Sequence, residues 1–477
     1  MVRTKVVAGL LGTSGVGLVG IYLSITGTLG SLAGLGIGSS GVREIAEADG
    51  SGDETRMVAT VKTLRRVCWL TGLLGWLLSA VAAWPLSRWA FGDDRHGWAI
   101  ALLGLTILFG TISGGQTALL QGIRRIGDLA RIQVTAAVLG TLVTLGLYGW
   151  LREDGIVPVL ISSAAIQLLV SWYFTRTIQP CQAVQSWKET FHRSKNLMSL
   201  GIAFMWSGLL GSFFALGIRA LIVRELGLDA NGIYQAAWGL SGMFAGFILG
   251  AMGADFYPRL TAVANDHSTV NRLVNEQTEI AVLLALPGLV GTMVFAPWLM
   301  HFFYSAKFLP GAVLLPWFVL GIFGQIISWP MGFILLARGE KTWFVVSETT
   351  ALVLKFTVSV ALLYRLGLVG TAIASPILYL VYTVGLLILS GRLTGFRWTS
   401  GVLRLLAVSG VVAGAGFSAQ YYLSGRPALA VGVLLFAISG IFSLRGIVKR
   451  LVKTHPFVRT AFRFPGIKLI CVGIFQG

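Results

Sequence analysis

Unbroken apolar runs of about 20 residues recur at short intervals along most of this chain, and that is the length a helix needs to cross a bilayer. We predict thirteen spans, at residues 18–42, 67–90, 97–122, 132–151, 156–178, 198–223, 231–257, 279–303, 311–337, 343–364, 367–390, 405–424 and 427–446. A transmembrane barrel would instead alternate polar and apolar residues in short segments. The sequence therefore predicts an all-α polytopic membrane protein.

The composition agrees with a membrane location. Charged residues make up 12% of the 477 residues, against about a quarter in soluble domains. The formal net charge is +18, but no soluble basic domain carries it, so nucleic-acid binding is not expected. The three cysteines lie far apart in the sequence, without the spacing of a metal site or of a disulfide framework. We expect neither a metal nor a cofactor.

The Lys and Arg residues between the predicted spans indicate an orientation, because cytoplasmic loops carry an excess of them. If residues 43–66 are cytoplasmic, the alternating loops place 26 of these cations inside and seven outside. This asymmetry places the C-terminus in the cytoplasm. Four more cations lie within or beside apolar runs: Arg3, Lys5, Arg219 and Lys355.

We predict five successive regions. The first transmembrane bundle, or N-lobe, comprises residues 1–178, and a cytoplasmic linker at 179–197 separates it from a second bundle, or C-lobe, at 198–392. Two additional transmembrane helices occupy 393–446, and 447–477 form a basic cytoplasmic tail. The tail is expected to be attracted to anionic lipid headgroups.

The chain also matches itself weakly at an offset of about 215 residues. Leu11–Gly17 corresponds to Leu226–Gly232, and each segment begins a long apolar run. Farther on, Leu119–Arg125 echoes Leu335–Lys341. Two copies with the same sidedness need an even number of spans each, as in the parallel repeats of some transporters.

The two copies differ in their predicted span count. The second has six spans between residues 198 and 390, whereas the first has five between 18 and 178. The missing span would precede residue 11, so we expect a truncated first helix, arising either from a start assigned too late or from a shortened helix. The predicted fold is two six-helix bundles as a parallel repeat, plus two C-terminal helices.

Five segments carry a resemblance to a known family: Thr4–Gly17, Leu35–Ala46, Leu226–Ala236, Phe256–Leu260 and Tyr304–Phe308. They resemble helix ends and turns of the O-antigen and polysaccharide flippases. Those proteins belong to the multidrug, oligosaccharidyl-lipid and polysaccharide exporter superfamily. The resemblance covers roughly residues 3–392. The short first helix and the two extra C-terminal helices depart from the common family pattern.

The resemblance implies a function and its partners. Such a protein moves an undecaprenyl-diphosphate-linked oligosaccharide, an O-antigen or exopolysaccharide repeat unit, across the bacterial inner membrane by alternating access. Its partners would be the lipid-linked glycan, membrane lipids and polysaccharide polymerase machinery. A cation-coupled multidrug exporter of the same superfamily is the alternative. Neither the glycan nor a coupling ion follows from the sequence.

Three cations in or beside apolar runs are the candidate ligands for the diphosphate, since a charge inside a membrane is costly and marks a functional position. Arg219, Lys355 and Lys5 would lower the cost of moving an anionic headgroup through a low-dielectric region. Snorkelling toward the interface, or an ion pair between Glu348 and Lys355 seven residues apart, would explain the same pattern.

Four further residues complete the predicted site. Gln116 and Gln235 are candidates for contacting the glycan, although hydrogen bonds between helices would explain them as well. Glu348 and Asp255 are acidic residues that fall inside predicted spans, and they are the candidates for ion coupling.

An enzyme is not expected. A polysaccharide polymerase or ligase would present a substantial outer loop, and the predicted outer loops do not exceed about ten residues. A prenyl-phosphate transferase would need cytoplasmic carboxylate clusters for a metal. Two of the three adjacent acidic pairs, Asp93-Asp94 and Glu153-Asp154, map to the outer side.

Overall fold

The computed structural model of the protein describes residues 2–176, 178, 187–422 and 426–454. Within these ranges the chain forms α-helices and two short 3-10 helices, Arg152–Gly155 and Ala306–Val313, and no strand. The α-helices are α1 Val2–Gly34, α2 Ile37–Gly50, α3 Glu54–Phe91, α4 Gly97–Gly122, α5 Ile126–Leu151, α6 Ile156–Thr175, α7 Trp187–Ala262, α8 His267–Val294, α9 Ala296–Phe303, α10 Leu314–Ala337, α11 Lys341–Leu366, α12 Leu368–Thr394, α13 Ser400–Tyr422 and α14 Arg426–Thr454.

Ten helical segments of the described chain are long and apolar enough to cross a membrane. One of them, Ile126–Thr175, comprises α5 and α6. The prediction of an all-α polytopic membrane protein is therefore confirmed.

Two predicted spans are not single continuous helices. The span 18–42 is interrupted because Leu35 and Gly36 have φ angles of 47° and 66°, a left-handed backbone that ends a right-handed helix. The chain restarts as α2. The span 279–303 is likewise divided between α8 and α9.

The segments 43–66 and 258–278, which lie between predicted spans, are mostly helical. α3 begins after Asp53, whose carboxylate accepts hydrogen bonds from the backbone N–H groups of Thr55 and Arg56 at 2.9 and 3.2 Å. α8 begins after Asp266, which caps its first turn in the same way. Hydrogen bonds from Thr269 and Ser268 hold the pKa of Asp266 below its usual range.

The predicted internal repeat is visible in the backbone. α1 breaks at Gly12 with φ 66° and ψ −165°, and α7 breaks 215 residues later at Gly227 with φ 86° and ψ 172°. The turn after α4 has a positive φ at Arg124, and the turn after α10 has one at Gly339. The turn after α5 has one at Arg152, and the turn after α11 has one at Gly367. All three pairs share the offset of 215.

The two broken helices cross each other in a reciprocal contact. A Cβ on Gly17 would overlap the carbonyl oxygen of Leu228 and lie 2.9 Å from the nitrogen of Gly232. A Cβ on Gly232 would overlap the carbonyl oxygen of Thr13 and lie 3.1 Å from the nitrogen of Gly17. Only glycine permits this backbone approach.

Hydrogen bonds from side chains also stabilise this crossing. The amide of Asn231, which is fully buried, donates to the carbonyl oxygen of Gly17 at 2.7 Å. The hydroxyl of Thr13 donates to the carboxylate of Asp229. The crossing therefore combines close packing with polar bonds between segments 215 residues apart.

The helices divide into two compact units. The first comprises Met1–Gln235 with Phe303–Lys307, and the second comprises Ala236–Phe302 with Phe308–Gly477. A core around Ile21, Leu103 and Val159 fills part of the first unit, and a core around Leu260, Val274 and Ile334 fills part of the second. Residues 179–186 of the predicted linker and 455–477 of the predicted tail lie outside the described residues.

Candidate functional site

Arg219 is a cation buried within α7, in the first unit. Arg219 is only 7% exposed. The guanidinium Nε and Nη2 atoms both donate to Oε1 of Gln235, at 3.2 and 2.9 Å. Nη1 donates to the carbonyl oxygen of Ala215 at 3.2 Å, and the guanidinium carbon lies 5.5 Å from the ring centroid of Tyr234.

All these partners of Arg219 are neutral. Within the described part of the chain, no carboxylate lies within ion-pair distance of its guanidinium. A buried charge is strongly destabilising unless it is compensated. The hydrogen bonds that Arg219 donates to Gln235 and Ala215 offset part of this cost, and an anionic ligand would offset more of it.

A cavity of about 410 Å³ in the first unit lies beside this cluster. Gln235, which holds Arg219, lines it together with residues of α1, α4, α5 and α6. Its wall is mostly apolar, with hydroxyl groups from Thr4, Tyr148 and Tyr304. The hydroxyl of Ser163 also lines it and, among the residues described, has no hydrogen-bond partner. This cavity therefore presents polar groups that a ligand could contact.

The second unit holds a separate cavity of about 330 Å³ between α10, α11 and α12. Lys355 and Glu348 both line it, as expected for residues seven apart on one helix. The ammonium of Lys355 lies 4.6 Å from the ring centroid of Trp238. The carboxylate of Glu348 accepts a hydrogen bond from the hydroxyl of Tyr382.

The rest of this wall suits an amphipathic ligand. Five aromatic residues line the cavity, and they are Trp329, Phe333, Phe344, Tyr379 and Tyr382. Gln325 adds an amide. Flat aromatic faces next to hydrogen-bonding groups can hold a ring that is apolar on its faces and polar at its edges.

The other predicted residues lie elsewhere. Lys5 is exposed on α1. Gln116 accepts a hydrogen bond from Ser171 and lines a third cavity, bounded by α3, α4 and α6. The side chain of Asp255 lies outside the described residues.

Several residues of these clusters were not predicted from the sequence. Tyr234 and Trp238 contact the two cations, and Tyr382 and Ser163 were not singled out. The only available signal was proximity, since Tyr234, Gln235 and Trp238 fall within one short stretch of an apolar run. Ser163 and Tyr382 come from other helices and carried no signal.

Comparisons with known proteins agree on one family and one fold. A family model described as polysaccharide biosynthesis protein matches residues 6–313. The lipid III flippase of Escherichia coli (strain K12) is 24% identical over 393 residues, which cover 79% of this chain and 90% of the relative. The lipid III flippase of Shigella flexneri matches to the same extent.

Two solved structures share the fold. An inward-facing multidrug resistance MATE family transporter of the MOP superfamily has a TM-score of 0.65 at 15% identity, covering 84% of this chain and 96% of its own. The lipid II flippase MurJ in an inward closed conformation has a TM-score of 0.64 at 14% identity, covering 94% of this chain and 96% of its own. At these identities the likeness concerns the fold alone.

Proposed function

The chain belongs to the polysaccharide biosynthesis protein family, and from this membership we propose that it is a flippase for a lipid-linked glycan. The proposed cargo is an undecaprenyl-diphosphate-linked oligosaccharide, a repeat unit of an O-antigen or exopolysaccharide. It moves from the cytoplasmic to the outer leaflet of a bacterial inner membrane by alternating access. Polysaccharide polymerase machinery is the proposed acceptor of the flipped product.

The observation that carries this proposal is the buried Arg219, whose partners among the described residues are all neutral. A diphosphate headgroup carries negative charge that is costly in a low-dielectric region. A guanidinium can donate two parallel hydrogen bonds to phosphate oxygens, which an ammonium cannot do with the same geometry. In this proposal Gln235 accepts the hydrogen bonds of the guanidinium in the absence of cargo. When the headgroup binds, its phosphate oxygens accept some of those hydrogen bonds instead.

The cavity of the second unit, taken by itself, is the proposed place for contacts to sugar rings. Lys355 provides a second cation, and the aromatic wall with Gln325 provides faces and edges for sugar rings. Glu348 is proposed to respond to a coupling cation, because it lines the same cavity as Lys355. The predicted roles of Lys5, Gln116 and Asp255 remain proposals.

The alternative function, a cation-coupled multidrug exporter, also has a basis, since a MATE transporter shares the fold. A cationic drug would, however, meet repulsion from Arg219, which has no carboxylate near it in the described chain. Lipid III flippases, which match most of the chain, also favour the lipid-linked cargo.

The test is a flipping assay in proteoliposomes made with the purified full chain. A fluorescent undecaprenyl-diphosphate oligosaccharide is placed in both leaflets, and an impermeant quencher reports the fraction that reaches the outer one. We expect faster exchange than in protein-free liposomes, and no gradient-driven uptake of a cationic dye. Dye transport without lipid exchange would overturn the proposal in favour of the exporter.

A further inference from the structure

The first unit contains a third cavity, of about 530 Å³, bounded by α3, α4 and α6. Three cations line it: Lys62 and Arg65 from α3, and Arg176 just after α6. None of the described residues in its wall carries a carboxylate. The cavity is therefore a concentrated site of positive charge, separate from the Arg219 cluster.

Arg65 and Arg176 have N–H groups that could donate hydrogen bonds to a ligand. The guanidinium carbon of Arg176 lies 4.2 Å from the ring centroid of Tyr173, a contact with the ring face that uses none of its N–H groups. Arg65 donates from Nη2 to the carbonyl oxygen of Ile178 at 3.5 Å, at the outer limit of a hydrogen bond. Each guanidinium has five N–H donors, and most of these donors have no partner among the described residues.

An exposed apolar stripe continues from these cations along α3. Trp69, Leu73 and Leu77 follow at intervals of four residues and are 52%, 38% and 60% exposed. Residues four apart lie on one helix face. Across the cavity, α6 exposes Leu169 and Trp172. In a bilayer, such a surface contacts hydrocarbon chains.

We propose that this cavity binds the phosphate-bearing headgroup of a lipid, with its hydrocarbon chain lying along the stripe of α3. The pattern of Lys and Arg in the loops predicts that the cationic end faces the cytoplasm, so the lipid belongs to the cytoplasmic leaflet. Basic pockets between transmembrane helices are suited to anionic headgroups. Gln116, which also lines the cavity, adds an amide that can bind the ester or glycerol oxygens.

This inference does not rest on the flippase proposal, because it requires only that the chain lies in a membrane. Two lipids share the recognised chemistry, an anionic phospholipid and a polyprenyl diphosphate. The experiment therefore measures binding rather than transport, and it offers both lipids separately.

The full chain is reconstituted in phosphatidylcholine nanodiscs, and binding of fluorescent phosphatidylglycerol and of fluorescent undecaprenyl diphosphate is titrated. The test variant combines Lys62→Gln, Arg65→Gln and Arg176→Gln. The control combines Arg43→Gln, Arg125→Gln and Arg131→Gln, which removes the same charge from the same predicted side but lines no part of this cavity. Arg176→Gln alone is the fallback if the triple variant does not fold.

We expect the test variant to bind the preferred lipid at least about tenfold more weakly, because each cation near a membrane surface contributes about 1 kcal/mol. The control should change the affinity by less than about threefold, and Arg176→Gln should lie between the two. The lipid that binds more tightly to the wild type identifies the source of the phosphate. Equal losses in the test and control variants would overturn the proposal. Inorganic diphosphate that competes as well as the lipid would also overturn it, because the hydrocarbon chain of the lipid would then contribute nothing to binding.

Discussion

The two repeats of this protein share their turns but not their charges. Gly12, Arg124 and Arg152 in the first repeat correspond to Gly227, Gly339 and Gly367 in the second, each with a positive φ. At the same offset, Arg219 corresponds to Thr4, and Lys355 corresponds to Gly140. The backbone turns therefore recur in both copies. Each of these cations stands in only one copy, so the two candidate clusters differ although the scaffold is repeated.

The largest effect on stability is expected at the crossing between the broken helices of the two copies. Gly232→Ala places a Cβ onto the carbonyl oxygen of Thr13, and neither backbone can yield without losing the bond from Asn231. We expect a loss of about 3 kcal/mol in stability, at the upper end for overpacking, visible as a lower midpoint of thermal unfolding in detergent.

Gly211→Ala is the matched control, since it lies on the same helix α7 and a Cβ there meets no atom within 4 Å. It should leave the midpoint unchanged or raise it slightly, because alanine favours the helix. If both substitutions lowered stability equally, the reciprocal crossing would not be a structural requirement.

The second prediction concerns Lys355, which the first repeat replaces by Gly140. Lys355→Gln removes the ammonium next to Trp238 and should slow lipid exchange about tenfold, the equivalent of one hydrogen bond to a charged group. Arg365→Gln, at the exposed end of the same helix, should leave the rate within about twofold. Equal rates for wild type and Lys355→Gln would remove the second-unit cavity from the transport path.

The smallest effect is expected at the turns that the repeats share. Arg152 adopts φ 50° and ψ −123°, close to the φ 61° and ψ −145° of Gly367, and this region is strained for any residue with a Cβ. Arg152→Gly should therefore stabilise the protein by about 1 kcal/mol, the relieved strain exceeding the greater flexibility of glycine in the unfolded chain.

The same replacement inside a helix should have the opposite sign. Arg131→Gly, on the exposed face of α5, is expected to cost about 1 kcal/mol. The difference between the two unfolding midpoints tests whether the duplication kept the turn geometry against the preference of the residue now there.

Much of this fold could be predicted because lipid imposes simple rules on a sequence. The lengths of apolar runs predicted the helices, and the Leu-Gly matches coincide with the breaks at Gly12 and Gly227. The break at Leu35 and Gly36 was missed, since an apolar run does not reveal a residue that adopts a left-handed backbone. Arg219 was found from its position within an apolar run, because a buried cation is conspicuous there.

The composition of the clusters was harder to predict. Gln116 and Arg219 were expected in one site, yet Gln116 lies in the cavity of Lys62 and Arg65. Which face a polar residue presents, and which helix it meets, depend on packing between distant segments. Tyr382 and Trp238 contact the predicted residues Glu348 and Lys355 for the same reason, and sequence spacing alone could not pair them.

The measurement that bears most directly on this account is the rate of lipid exchange for Arg219→Gln in proteoliposomes that contain equal amounts of folded protein. Glutamine keeps a hydrogen-bonding side chain at this position but removes the charge. Loss of one partner from a buried charge pair costs about 2–5 kcal/mol, so we predict a fall of about 100-fold in the exchange of the diphosphate-linked oligosaccharide. An Arg219→Gln protein that exchanges this lipid at the wild-type rate would contradict the account.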